Sequence, residues 1–397
     1  MKKKYTILLA HNYYKLNGGE DTVFKNEKEM LIEQGHKVVT YSRSNIEINN
    51  FSILGKLLFP LNSIFSLKTY KDVTKIIQKE KVDIVHVHNT WPLISPSIFY
   101  AASHIKIPIV QTIHNFRMIC PGATLYYNGK INEDALNEGL WAVTKQKVYK
   151  NSLFQTLISA LTLKVHRIMG TYKLVNFIFL TDFNKGKHLE LNKDKLILNR
   201  NMCFVKPNFS NSDNEIIPFS DRKDQYIYVG RLDVIKGIKF LVKSWRNVKN
   251  SKLIICGSGP EEKWIKEYIT DNKLENIILK GNIDNKAAIE YISESKALIL
   301  PTKWYEGFPM TILEAYSCGT PVIGSNIGNV GNIILNNYTG KTIKPNSTSD
   351  LLASLNMTNE IATNCTEIYN KLYTKEKNYK QLIDIYTQCI NKLGRNI

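Results

Sequence analysis

The chain has 397 residues, enough for two or three domains of about 150 residues each. Hydrophobic residues make up 43% and charged residues 22%, which excludes a collagen-like, coiled-coil or wholly disordered polymer. Lys and Arg number 53 against 35 Asp and Glu, a net charge of +18, so partners bearing phosphate are favoured: nucleic acid, an anionic membrane or a nucleotide.

The opening Met1-Lys-Lys-Lys-Tyr-Thr-Ile-Leu-Leu-Ala has the charged start of a signal peptide, but its apolar stretch stops at His11 and no cleavage site follows. It reads as the first strand of a cytoplasmic protein. Further short apolar runs read as buried strands at 37–41, 82–88, 109–113, 177–180, 226–229, 253–256, 277–280, 297–300 and 322–324. Helix-period segments lie among them at 22–34, 236–247 and 261–270. Apolar strands alternating with helices predict parallel sheets covered on both faces, an α/β class. The polar stretch 208–224 interrupts the series, and the strands restart near Tyr226. Two Rossmann-like doubly wound halves are therefore expected, with the active site in a central cleft that they face, at the carboxyl ends of the strands. The most apolar stretch, 51–67, is broken by Lys56 and Pro60, and nothing reaches the 18 clean apolar residues of a membrane span. The six cysteines form no C-x-x-C pair, so neither a zinc ribbon nor a disulfide framework is expected.

The strongest motif runs from Ala297 to Ile323 and reads strand, loop, helix, strand. Glu306 stands in the loop beside Gly307, whose bare backbone admits a ligand closely, and Glu314 lies on the helix that follows Pro309. Taken alone, the pair reads as a solvated loop acid and a helix-dipole partner. A second motif, Gly230-Arg231-Leu-Asp-Val-Ile-Lys236-Gly237, puts two cations just past a strand. There they can stabilise the charge left on a departing diphosphate without a metal. Earlier, Asn17-Gly18-Gly19-Glu20-Asp21 joins the first strand to the first helix, a pattern that suits an anion site and an ordinary turn equally. His114 follows the strand 109–113. His88 ends the strand 82–88, while His86 within it is expected to pack.

Two phosphate motifs fail on spacing. In Gly257-Ser-Gly259-Pro-Glu-Glu262 the third glycine of a dinucleotide fingerprint falls on Glu262. In Gly340-Lys341-Thr342 the first glycine of a P-loop falls on Leu335.

The glutamate block, the Gly-Arg-Leu…Lys-Gly turn and the Gly-x-Gly-Pro turn together resemble the retaining family-4 glycosyltransferases of the group 1, GT-B type, including those that build cell-surface polysaccharides. The resemblance runs from Tyr5 to about Tyr386. It implies that Glu306 and His114 meet the donor sugar, Glu314 the nucleotide ribose, and Arg231 and Lys236 the diphosphate. Gly18, Gly19, Gly307, Phe308 and Met310 would line the sugar and diphosphate through their backbone. It implies no metal and no other cofactor. Two places depart from the family pattern. The Gly-Gly-x-x-Glu loop is here Gly328-Asn329-Val330-Gly331-Asn332, and the loop after Gly129 lacks the cysteines of relatives with a similar His-Asn-x-Arg…Cys-Pro stretch. The expected organisation is an acceptor-side domain at 1–207, a nucleotide-sugar domain at 208–375 and a C-terminal helix at 376–397 packing back on the first.

Residues 142–206 carry 12 Lys/Arg and 3 acids, half of the net charge. Within them Leu153, Leu157, Leu161, Val165 and Ile168 recur at helical spacing. This is either an ordinary core-facing helix or a basic amphipathic helix on an anionic leaflet. The second reading implies a lipid-linked glycan acceptor and a peripheral place on the inner face of the plasma membrane, with 51–67 as a second contact. Two rival functions remain: a sugar-nucleotide epimerase on the same architecture, and a basic nucleic-acid binder. The epimerase lacks a use for the paired glutamates, and the binder needs stacking aromatics among its cations. No nucleic-acid partner is therefore expected.

Overall fold

The structure, a computed structural model, describes residues 3–15, 18–193, 195–210 and 216–394. Among them the strands are β1 (Thr6–Tyr13), β2 (Lys37–Ser44), β3 (Ile84–Asn89), β4 (Ile109–Ile113), β5 (Tyr126–Tyr127), β6 (Lys130–Ile131), β7 (Asn176–Phe179) and β8 (Cys203–Val205). They continue with β9 (Lys223–Val229), β10 (Lys252–Cys256), β11 (Ile277–Gly281), β12 (Ser295–Leu300), β13 (Val322–Ser325) and β14 (Gly340–Ile343). Two compact units result, one of Met1–Leu125, Asn132–Asn208 and Lys375–Ile397, the other of Tyr126–Ile131 and Phe209–Thr374. The last helix, Lys375–Lys392, belongs to the first unit.

The first unit holds a parallel sheet in the order β2-β1-β3-β4-β7-β8. Leu8 of β1 pairs with Val39 on one side and Val85 on the other, and all of Ile7, Leu8, Leu9, Val85 and Val87 are fully buried. The central strands of this sheet are covered on both faces, which is why β1 and β7 carry apolar runs without alternation. The second unit holds another parallel sheet, β11-β10-β9-β12-β13-β14. Its core gathers Tyr226, Leu241, Trp245, Leu253, Ile265, Ala297 and Ile323. Counted within each unit, the strand orders are 2-1-3-4-5-6 and 3-2-1-4-5-6, the flavodoxin-like and dinucleotide-fold forms of a doubly wound sheet.

These orders fix where a ligand can sit. The order reverses between β1 and β3 in the first unit and between β9 and β12 in the second, and each reversal opens a crevice at the carboxyl ends of its two strands.

Four strands escaped the sequence reading: the two-residue strands β5 and β6, and β8 and β14. β8 and β14 are three- and four-residue sheet edges, and the Gly340-Lys341-Thr342 stretch lies inside β14. The segment 51–67 is the helix Ile53–Ile64 followed by the start of the helix Leu67–Glu80, with Ser52 capping Gly55.

Gly237 shows how the second crevice is built. Its φ is +74°, and a Cβ there would lie 1.8 Å from the carbonyl oxygen of Pro301, just past β12. Only glycine lets the turn Val234–Lys236 come this close, and Lys303 N donates back to Ile235 O at 2.9 Å. Gly237→Ala is expected to cost at least about 2 kcal/mol, from the left-handed backbone and the clash. A fall in Tm of roughly 4 °C or more in thermal unfolding checks this.

Candidate functional site

In the second unit, Lys236 follows β9 and Glu306 follows β12, so both stand at the reversal point. The Lys236 ammonium lies 2.8 and 2.9 Å from the two oxygens of Glu306. Glu306 Oε1 also accepts from Thr302 Oγ1 at 3.0 Å and from Trp304 Nε1 at 2.8 Å, and the Lys236 ammonium lies 5.4 Å from the Trp304 ring centroid. Residues read from the sequence as a sugar contact and a phosphate contact are thus one ion pair. Arg231 is the looser cation. It pairs with Asp233 at 2.6 Å while its side chain is 57% exposed, an arrangement worth little in water and readily exchanged.

Glu314 sits apart from that pair. It accepts from Asn285 Nδ2 at 2.9 Å, and burial raises its carboxyl above the usual range. Phe308 is buried with its ring edge-on to Tyr373, so only its backbone is free for a ligand. Met310 opens the helix Met310–Ser317 behind the Pro309 cap, where first-turn amides have no carbonyl of their own helix to bind.

Asn329 was missed as a site residue. It replaces the second glycine of the family loop, is fully buried, and its Nδ2 donates to the carbonyl oxygens of Glu306 and Gly307 at 2.6 Å each. The departure that the sequence left open is a clamp on the glutamate loop. Its only sequence signal was an asparagine where the family has glycine.

The first unit gathers its polar residues at the ends of β1, β3 and β4. Gly18 and Gly19 open the helix Gly19–Glu33, and a Cβ on either would meet nothing within 4 Å. Asn17 of the same motif lies outside the described residues. Asp21 takes the Gly18 amide at 2.7 Å and His11 Nε2 at 2.6 Å. Glu20 accepts from Asn89 and Asn115 at 3.0 and 3.3 Å. Burial and the Asp21 charge push the Glu20 carboxyl up to about 8, so near neutral pH it carries little charge toward an anion at this helix start.

His114 stacks on His88 with ring centroids 5.2 Å apart, and its Nε2 meets His88 Nδ1 at 3.0 Å. Behind them Glu27, which the sequence reading passed over, is fully buried and lies 3.2 Å from His88 Nε2, 3.0 Å from His86 Nδ1 and 3.1 Å from Lys206 Nζ. His86 is not simple packing. It also meets Thr112 at 2.8 Å and Tyr386 at 2.7 Å. Glu27, His86 and His88 form the one cluster among the described residues with metal-ligand spacing. Here both imidazole nitrogens that face Glu27 meet the same Oε1, and Lys206 occupies Oε2, so the donor set is committed to protons and an ammonium rather than to a metal ion.

A third feature is the outer surface of the first unit. On the helix Ile53–Ile64, Ile53 is 89% and Leu57 74% exposed, with Leu54 and Leu61 exposed beside them. The helix Leu153–Ile168 is joined to it through His166 Nε2 and Ile64 O at 2.9 Å. Its buried face mixes Thr156, Ser159, Thr162 and His166 with the apolar Ile158, Ala160 and Leu163, while Leu153, Phe154, Leu161 and Ile168 look outward, so much of the apolar row read from the sequence is exposed. A groove of about 520 Å³ runs along it, lined by Trp141, Leu157, Leu161, Ile168 and Lys164. Arg167 is not part of a basic face, because its guanidinium donates to the carbonyls of Met118 and Ile119. No described helix is long and apolar enough to cross a membrane.

Two doubly wound parallel-sheet units are the architecture of the GT-B fold. The family model described as glycosyl transferases group 1 matches residues 210–358, and the model of glycosyltransferase family 4 matches residues 17–145. The chain belongs to these group 1, family-4 glycosyltransferases. Among its relatives is an uncharacterized 42.6 kDa protein in the cps region of Klebsiella pneumoniae, 24% identical over 80% of this chain and 83% of the relative. Among solved structures, a glycosyltransferase from Rickettsia africae superposes with a TM-score of 0.68 at 18% identity, over 99% of this chain and all of that one. HepE of Anabaena in complex with UDP gives 0.64 at 15% identity, over 96% and 99%. At such identities these structures speak for the fold.

The buried histidines set a pH dependence. Burial pushes both His88 and His188 down to about 4, so both are neutral in the fold, while the unfolded chain takes up their protons near 6.5. Their stabilisation is complete above about pH 6.5 and is lost as pH falls toward 4. Tm is expected to fall steadily from pH 6.5 to 5, with on the order of 1 kcal/mol lost per histidine per pH unit, and His188→Asn should flatten that slope.

Proposed function

We propose that this chain transfers a sugar from a nucleoside-diphosphate sugar to a glycan acceptor, with retention of anomeric configuration and without a metal. The observation that carries the reading is the Lys236–Glu306 pair at the β9/β12 reversal, with Arg231 in the same turn after β9. A diphosphate arriving there offers Lys236 and Arg231 a stronger anion than the carboxylates they now hold, and frees Glu306 to accept hydroxyls of the sugar. As the bond from anomeric carbon to phosphate oxygen breaks, the two cations stabilise the charge that develops on the leaving diphosphate. The acceptor oxygen attacks from the face that the phosphate leaves, and its proton passes to that phosphate. Glu314, with Asn285, takes the ribose. His114 takes a sugar hydroxyl, and the backbone at Gly18, Gly19, Gly307, Phe308 and Met310 lines the sugar and diphosphate. The UDP complex of HepE supports a nucleotide donor, and the cps-region relative supports assembly of a bacterial cell-surface polysaccharide.

In this reading the acceptor is lipid-linked and the chain works in the cytoplasm, on the inner face of the plasma membrane. The exposed row Ile53, Leu54, Leu57 and Leu61 supports this, since contiguous apolar surface on a soluble protein marks an interaction site. The exposed Lys56 and Lys164 add attraction to an anionic leaflet of roughly 1 kcal/mol each.

Turnover tests the catalytic reading. Product formed from a nucleotide sugar in the presence of EDTA should show the donor's anomeric coupling by proton NMR, and an inverted coupling overturns retention. Glu306→Gln is expected to lower kcat by about 10²–10³-fold. Glu314→Ala should instead weaken nucleotide binding about tenfold to a hundredfold. For the membrane reading, Leu57→Glu/Leu61→Glu should abolish co-sedimentation with phosphatidylglycerol vesicles while leaving stability within about 0.5 kcal/mol, as surface changes do.

A further inference from the structure

The functional reading uses His114 but not the buried groups behind it. We infer that Glu27 and His88 form a hydrogen-bond relay that fixes the tautomer of His114, so that its Nδ1 faces a donor-sugar hydroxyl as a bare acceptor. This inference rests on the reading of His114 as a sugar contact.

The argument follows the protons outward from Glu27. Its carboxyl is buried, which by itself disfavours charge, but Lys206 and His86 outweigh burial and hold it well below the usual carboxylate range. It is therefore ionised, and an ionised carboxylate only accepts hydrogen bonds. His88 Nε2, 3.2 Å from Glu27 Oε1, must carry a hydrogen. Burial keeps His88 neutral, so it has one ring hydrogen and its Nδ1 is bare. That bare Nδ1 lies 3.0 Å from His114 Nε2, which must then be the donor. Burial also holds His114 well below its usual range, so its own Nδ1 carries no proton. An acceptor of this kind recognises a hydroxyl hydrogen, and it refuses a carbonyl or a bare phosphate oxygen. The relay needs no movement on ligand binding, because each member is already set: Lys206 and Asn378 brace one end at 3.0 Å, and the stacked His88–His114 rings brace the other.

Glu27 and His88 are thus positioning residues. They touch no substrate and act through a ring that does. Without the relay the two neutral tautomers of His114 compete, and the one with hydrogen on Nδ1 cannot accept.

The test reads the tautomer directly. Long-range proton–nitrogen correlation spectra of protein labelled with ¹⁵N-histidine, recorded without substrate near pH 7, should show hydrogen on Nε2 of both His88 and His114. His88→Asn keeps a carbonyl oxygen near the place of Nδ1 and should leave His114 protonated on Nε2. His88→Leu removes the acceptor, and should mix the His114 tautomers and lower kcat/KM for the donor by about tenfold relative to His88→Asn. A wild-type His114 carrying its hydrogen on Nδ1, or a tautomer indifferent to His88→Leu, overturns the relay and leaves the transferase reading standing. The opposite pattern, a fixed tautomer with undiminished transfer by His114→Ala, overturns the sugar contact.

Discussion

Lys236 holds both oxygens of Glu306 at 2.8 and 2.9 Å, and the loop around the pair is shaped to keep it so. The carboxylate is nearly buried, so it needs partners, and Thr302, Trp304 and Lys236 supply them. Asn329 ties down the backbone that carries it, and Gly237 lets the lysine approach. An ion pair that is satisfied yet open at the end of a parallel sheet is a poised site. A stronger anion can take the lysine, and the carboxylate then has acceptor capacity to offer a polyhydroxyl ligand. The placement of Arg231 and Glu314, each with a single weaker partner, follows the same logic.

The first unit solves a different problem. Its β1/β3 crevice is lined by a connected set of buried ionisable groups, Glu27, Lys206 and three histidines, and burial of charge is costly unless every member is paired. Here the contacts run unbroken from Lys206 through Glu27 and His88 to His114, while Nδ1 of the neighbouring buried His11 has no partner. Side chains held by partners of their own are what a site needs if it is to be ready before its ligand arrives.

Much of this was legible in the sequence. Strands such as β7, β10 and β12 contain continuous apolar runs because helices cover both faces of their sheets, and the motif residues fall just past strand ends because ligands bind there. Edge strands were not legible. β8 and β14 have three and four residues, and β14 carries glycine, lysine and threonine in place of a run. Nor were the pairings. Lys236 and Glu306 are 70 positions apart, and Glu27 and Lys206 are 179 apart, so no local spacing joins them. The apolar row of the helix Leu153–Ile168 was visible, but its direction was not. The face that packs carries Ile158, Ala160 and Leu163 among Thr156, Ser159 and Thr162, which leaves Leu153, Leu161 and Ile168 outside.

The account stands on the Lys236–Glu306 pair as the seat of a diphosphate-linked sugar. Calorimetric titration of wild-type protein and of Lys236→Ala with a panel of nucleoside diphosphates, in EDTA, tests it most directly. The account predicts that at least one nucleoside diphosphate binds the wild type, and binds the variant at least about tenfold more weakly, as befits a lost charge-assisted contact. Equal affinity for both proteins, or no affinity for any member of the panel, would contradict it.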